Sequence, residues 1–258
     1  QKGLSMAEFL EHYGTEKQCH AALVAARWPQ GFRCPDCTHE GHSTFIRQGR
    51  QYWQCQRCRH QTTVTAGTVF EATKLPLSRW LLAMHLMTQA KNNVSALELK
   101  RHLGLRYKSA WLMKHKLLQV MVEREAHRVL KGRVEIDDAY LGGERPGKPG
   151  RGSENKIPFV VAVQTTDDGQ PVVARMNRIA FTKDAIQAWA HTALAASAHV
   201  ISDGLHCFKA VAGEVACHTA IVVGSGRQAV TRPEFRRVNT VLSNLKTAIS
   251  GTYHAFKF

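Results

Sequence analysis

Val134-Glu135-Ile136-Asp137-Asp138-Ala139-Tyr140-Leu141-Gly142-Gly143 is the stretch on which the fold turns. Apolar and acidic side chains alternate along it, and two glycines end it. A strand accepts carboxylates into a cleft only where a metal or a partner compensates them, so the run reads as a strand delivering acids to a site. Two later elements answer it. Val200-Ile201-Ser202-Asp203-Gly204 is a second short strand ending in an acid, and Asn239 and Lys246 stand seven apart in a helical segment. Asp137, Asp203 and Asn239 together read as a centre for two divalent ions.

Outward from this strand, Leu130-Lys131-Gly132-Arg133 marks the start of a domain. Residues 142–156, rich in Gly, Pro, Lys and Arg, read as a mobile basic loop. Ile157–Thr166 and Val172–Ile179 read as strands joined at Asp167-Asp168-Gly169-Gln170, a turn in which both acids serve the turn itself. Thr182–Ser197 is expected as a helix capped by Thr182, His199–Ser202 as the strand leading to Asp203, Glu214–Val223 as another strand, and Pro233–Ser250 as a last helix. Three antiparallel strands, a helix, then strand-helix-strand-helix is the order of a ribonuclease-H-like fold.

The charge is uneven. The chain carries 35 Lys and Arg against 20 Asp and Glu, a net of +15, which favours a polyanionic partner. Residues 1–132 hold 20 of the basic side chains and 9 of the acids. Hydrophobic content of 44% and charged content of 21% describe an ordinary globular protein. No apolar run approaches the roughly 18 residues of a membrane span, and no signal-like segment opens the chain. A cytoplasmic, nucleoid-associated protein is expected. Gln1 in place of Met reads as a fragment of a longer chain.

Seven cysteines, four of them in two Cys-x-x-Cys pairs, suit a reducing compartment and a metal. Cys34-Pro35-Asp36-Cys37 and Cys55-Gln56-Arg57-Cys58 stand 17 residues apart, the spacing of a zinc ribbon with a closed, structural Zn²⁺. His39, His42 and His60 are competing ligands, read instead as surface or phosphate-facing; Cys207 and Cys217 read as small buried hydrophobes. Residues 5–27 carry one helical periodicity and Pro76 to Arg101 another, whose Trp and Met stripe reads as core. Ser95–Leu103, a turn at Gly104 and a helix from Tyr107 form a helix-turn-helix offering Arg106, Tyr107, Lys108 and Ser109 to a major groove. A hairpin that packs only on itself is the alternative. Four parts follow: 1–30 helical, 31–66 zinc ribbon, 67–131 helix-turn-helix and 132–258 nuclease-like, in an α+β chain with a mixed sheet flanked by helices.

Taken together, Arg27-Trp28-Pro29, Gly31-Phe32 before Cys34-Pro35, the Glu135–Gly143 run, Ser202-Asp203-Gly204, Asn239–Lys246 and Gly251-Thr252-Tyr253-His254 resemble the bacterial insertion-sequence transposases that join a zinc ribbon to a DDE-type nuclease domain. The resemblance covers nearly the whole chain. It implies catalytic acids at Asp137 and Asp203, and the branch of the family with asparagine, at Asn239, in place of a third carboxylate, followed by Lys246. It also implies Mg²⁺ or Mn²⁺ as catalytic ions, double-stranded DNA at element ends and target as substrate, and a homo-oligomer on DNA. Family members continue past the Gly-Thr-Tyr-His motif with an aromatic and basic helix, so the segment that closes the domain is expected beyond Phe258. Such centres use a few oxygens to hold two Mg²⁺ near a scissile phosphate, and two carboxylates with an amide supply them.

Some choices stay open in the sequence. Strand alternation puts Asp137 and Asp138 on opposite faces, so either could be the ligand, with Asp137 preferred. Glu135 shares the Asp137 face, either supporting the site or forming a strand salt bridge. Asn239 and Lys246 have bland readings as exposed helix residues, and Asp203 as a strand-end cap. A non-catalytic DNA-binding regulator is the competing function; a ribonuclease or resolvase is the third.

Overall fold

The structure is a computed structural model and describes residues 3–89, 93–141, 156–222 and 232–252. The expected basic loop lies outside these residues except for Lys156. Two compact units divide the chain, the first ending at Met121 and the second beginning at Val122.

The first unit opens with two helices, although its periodicity suggests one. α1 (Met6–Tyr13) and α2 (Glu16–Arg27) each begin at a capping box, Ser5 with Glu8 and Thr15 with Gln18. The second box satisfies backbone donors that a continuous helix would have paired internally, so the chain restarts at Thr15. β1 (His42–Arg47), β2 (Arg50–Cys55) and β3 (Gln61–Thr62) follow as an antiparallel sheet in that order. Arg27 fastens α2 to this sheet by donating to the Thr63 and Val64 carbonyls at 3.2 and 2.7 Å. Trp28 packs on Phe32 and Trp53 with ring centroids 5.0 Å away in each case, so the Arg-Trp-Pro motif floors the small ribbon core.

α3 (Leu77–Gln89) and α4 (Ala96–Leu103) follow, and α5 (Tyr107–Ala126) begins in this unit and runs five residues past its end. Glu16 of α2 accepts from the Leu77 and Ser78 backbone N–H at 2.7 and 3.0 Å, capping α3 from a distant segment. The helical pattern from Pro76 to Arg101 is broken because Ser95 and Glu98 form a third capping box that starts α4. Gly104 ends α4 in the left-handed region at φ 63°, its N–H bonding the Lys100 carbonyl, a conformation that costs other residues strain. Trp80, Leu99, Leu103, Met113 and Leu117 bury the inner faces.

In the second unit, β4 (Arg133–Leu141), β5 (Ile157–Thr165), β6 (Pro171–Arg178), β7 (His199–Asp203) and β8 (Cys217–Ile221) form one mixed sheet in the order β6-β5-β4-β7-β8. β4, β5 and β6 are antiparallel neighbours; β7 runs parallel to β4, and β8 parallel to β7. Alternation sends Val134 and Ile136 to one face, under α6 (Lys183–Ala193) and Phe208. Val161 and Val163 go to the other, under Val238 and Leu242 of α7 (Arg236–Thr252). A sheet sandwiched between helices in this order is a ribonuclease-H-like domain.

Two expectations are corrected here. The strand expected over Glu214–Val223 begins only at Cys217, because a 3₁₀ stretch over His206–Gly213 has its C-cap at Glu214, and it runs to Ile221; Val223 lies outside the described residues. Cys207 is buried as expected, whereas Cys217 is exposed on the edge strand β8.

A Cβ on Gly104 would meet nothing within 4 Å, so Gly104→Ala should cost only the backbone strain, about 1–2 kcal/mol. Thermal unfolding should show the transition of the first unit lowered and that of the second unmoved; no change in either would contradict the left-handed cap.

Candidate functional site: a carboxylate cluster and a four-cysteine knuckle

The β4–β7 ladder ends at the pair Ile136 and Ser202. The next residues on each strand are Asp137 and Asp203, side by side where two parallel strands part, the place at which open α/β sheets hold ligands. Carboxylate oxygens of Asp137, Asp138 and Asp203 all lie within 4.8 Å of one another, and all three residues are half-buried. Asp138 therefore joins a group from which strand alternation would exclude it. Past Ile136 no ladder bonds link β4 to β7, so side chains from both faces of β4 reach the open edge. The Asp138 N–H also donates to Asp137 Oδ1 at 2.9 Å. Asp203 Oδ1 accepts from the Leu205 N–H at 3.1 Å, which fixes the turn after β7. Three carboxylates this close repel unless protons or cations intervene, and oxygen-rich groups of this kind suit hard divalent ions.

Glu135 organises the other side of the site. It is 1% exposed, and one carboxylate oxygen accepts from the Arg133 guanidinium at 2.6 Å. The other accepts from the backbone N–H groups of Arg237 and Val238 at 2.9 and 3.0 Å. These are orphan donors in the first turn of α7, so the helix is pinned to β4 two residues before Asp137 and one before Asn239. Of the two sequence readings of Glu135 the strand salt bridge is observed, and the same carboxylate anchors the helix turn that carries Asn239. Asn239 is half-buried on this anchored turn. Lys246 lies roughly 10 Å further along α7 and is exposed. Ser202, buried on β7, and His218, half-buried on β8, share a hydrogen bond of 2.8 Å, and desolvation pushes the His218 imidazole below its ordinary range. Sequence reasoning misses this pair; the run His-Val-Ile-Ser-Asp offers no signal for it.

In the first unit the sulfurs of Cys34, Cys37, Cys55 and Cys58 form a single group within 4.8 Å. Cys34 and Cys58 sulfurs are 3.6 Å apart, as are those of Cys37 and Cys55. A tetrahedral zinc with Zn–S near 2.3 Å requires edges of about 3.8 Å, so the set fits one zinc ion. The two pairs sit in equivalent turns. Thr38 N–H bonds the Cys34 carbonyl and Cys34 N–H the His39 carbonyl, while Arg59 and His60 repeat both bonds around Cys55. Thr38 and Arg59 hold matching left-handed conformations at φ 61° and 62°. His39 and His60 thus serve the knuckles through backbone oxygens, and neither these imidazoles nor that of His42 belong to the sulfur group.

At the start of α5, Arg106, Tyr107 and Lys108 are exposed, and Ser109 is half-buried. Ala110, Met113 and Leu117 face inward, so the first turn presents the polar side chains outward.

A ribonuclease-H-like sheet with acids clustered where its parallel strands part, joined to a four-cysteine ribbon, has the build of a transposase. Comparison with known proteins agrees: residues 129–258 match the ISXO2-like transposase domain and residues 14–61 the transposase zinc-ribbon domain. The chain belongs to the ISXO2-like transposase family. It is also 28% identical over 186 residues to an uncharacterized protein in transposable element ISH50 of Halobacterium salinarum, covering 64% of this chain and 61% of that relative.

Purified without chelator, the protein should carry one zinc per chain, and Cys55→Ala should lose both the metal and the ribbon fold; elemental analysis finding none would refute the fit. Glu135→Ala would take the carboxylate from the Arg133 guanidinium, leaving it the Thr165 hydroxyl and the Glu234 carbonyl, and would leave two helix N–H groups unpaired, at a cost of about 3–5 kcal/mol. A denaturant titration showing less than about 1 kcal/mol would contradict the clamp.

Proposed function

We propose that the protein is a DNA transposase that binds the terminal inverted repeats of its insertion sequence and cuts and joins their strands with divalent metal. The observation that carries this is the group of carboxylates from Asp137, Asp138 and Asp203 at the end of the β4–β7 ladder. Asp137, Asp203 and Asn239 would hold Mg²⁺ or Mn²⁺, with Asp138 as the alternative ligand on β4. Two such ions supply an activated attacking oxygen and a stabilised leaving oxygen. Asn239 contributes an uncharged oxygen, which lowers the affinity of its ion relative to a carboxylate. Lys246, two turns along the same helix, would contact a phosphate as a mobile point charge.

The first unit delivers the DNA. The zinc held by Cys34, Cys37, Cys55 and Cys58 would keep the ribbon rigid, and Arg106, Tyr107, Lys108 and Ser109 would enter the major groove at the N-terminal end of α5. The proposed functional division is 1–30, 31–66, 67–131 and 132–258, acting as a homo-oligomer on element ends at the nucleoid. Among the described residues no helix is long and apolar enough to cross a membrane. A purely regulatory DNA binder would have no use for clustered, mutually repelling acids, which favours the enzyme.

Cleavage of a labelled element end in Mg²⁺ should be lost almost wholly in Asp137→Ala and Asp203→Ala, with DNA affinity kept. Asn239→Ala should be nearly as severe, Asn239→Asp partly active, and Asp138→Ala milder than Asp137→Ala. Full cleavage by Asp137→Ala would refute the assignment; loss confined to Asp138→Ala would move the ligand by one residue.

Arg106→Ala and Lys108→Ala should weaken DNA binding, most at low salt where phosphate contacts dominate. Unchanged binding across salt concentrations would remove this helix from the interface.

A further inference from the structure

α7 has two unlike faces. Val238 and Leu242 are buried against the sheet, with Val241 and Leu245 packed beside them. On the opposite side Arg232, Arg236, Asn239, Thr240, Ser243 and Asn244 line an open groove of ≈ 500 Å³. No Asp or Glu occurs anywhere in Arg236–Thr252. The helix begins with two arginines and no acid in its first turn, although its dipole disfavours cations there. Arg237 has a structural use, donating to the Gly169 carbonyl and the Gln170 side chain. Arg232 and Arg236 are exposed, and among the described residues neither forms a salt bridge. Meanwhile the N–H groups of Arg237 and Val238 are taken by Glu135, so an anion in the groove would be held by side chains rather than by the helix end.

We propose that this groove binds DNA backbone phosphates, with Arg232 and Arg236 as the charged contacts and the Ser243 hydroxyl and Asn244 amide as neutral donors; the Thr240 hydroxyl donates instead to the Arg236 carbonyl. From Arg236 to Asn244 the helix extends about 12 Å, the rise of three to four nucleotides of one strand. Asn239 belongs both to the groove and to the turn that Glu135 pins beside the carboxylates. The bound strand is therefore the one whose phosphate reaches Asp137 and Asp203. That choice of strand rests on the cleavage reading above; the phosphate binding itself does not.

The test uses the full chain, a labelled short duplex and no divalent metal, so that nothing is cut. Binding is followed by fluorescence anisotropy across a salt series for the native protein, Arg232→Gln/Arg236→Gln, and Arg178→Gln/Lys183→Gln as a charge-matched control outside the groove. The slope of log affinity against log salt should flatten by about 0.9 for each phosphate no longer neutralised, so about 1.8 for the groove variant, and stay native in the control. Removing cations from the positive end of a helix should leave the unfolding midpoint unchanged or raised, whereas a merely structural role would lower it. An unchanged slope in the groove variant, an equal flattening in the control, or a lowered midpoint would overturn the proposal. Because the assay holds no metal and reads binding alone, a failure of the cleavage reading leaves this outcome separately legible.

Discussion

A single buried carboxylate fixes the first turn of α7 to the central strand of the second unit. Glu135 takes three donors at once, a guanidinium from its own strand and two backbone N–H groups from a helix more than a hundred residues later. Burying a charge is costly unless it is fully paired, and the first turn of α7 supplies donors that would otherwise be unsatisfied. Each need answers the other. The result is a fixed angle and register between α7 and β4, and with it the placement of Asn239 relative to Asp137. Apolar packing of Val238 and Leu242, with Val241 and Leu245 beside them, seats the helix on the sheet, and the carboxylate adds directional bonds at its first turn.

Around that clamp the two units solve different problems. The second unit has two ample cores, one on each face of its sheet, and can carry repelling acids at its open strand ends. The ribbon has a core of only a few residues around Phe32, Trp53 and Val64, too small to fold unaided. A zinc ion on the four cysteines of the paired knuckles would supply what the core lacks, and Arg27 and Trp28 join the ribbon to α2. Distribution of charge follows the same division, with the basic excess concentrated before residue 133 and the clustered acids after it.

Much of this is legible in the sequence because the signals are local. The Cys-x-x-Cys pairs, the Asp-Gly turn, the alternation through Glu135–Asp137 and the Ser95–Gly104 helix with its stop are all written within ten residues of themselves. What escapes reading depends on contacts between distant segments. Alternation puts Asp138 on the wrong face for the cluster because it takes no account of where a neighbouring strand departs. Glu135 cannot be assigned a role without knowing that residues 237 and 238 lie against it. The N-terminal segment reads as one helix because Phe9, Leu10, Tyr13, Cys19 and Leu23 keep a helical period across Gly14. The Thr15 and Gln18 box is the available signal for the break. Glu16 acting as the cap of α3 has no local signal at all.

On the proposed reading, Asp137, Asp203 and the Glu135-anchored turn of α7 surround one divalent-metal site. Replacing Mg²⁺ by Fe²⁺ and adding ascorbate and peroxide generates radicals that cut the polypeptide next to the bound metal, and mass spectrometry of the fragments maps the cuts. Scission at the ends of β4 and β7 and in the first turn of α7, abolished together in Asp203→Asn, is the predicted result. Scission confined to other segments, or an unaltered pattern in Asp203→Asn, would contradict it.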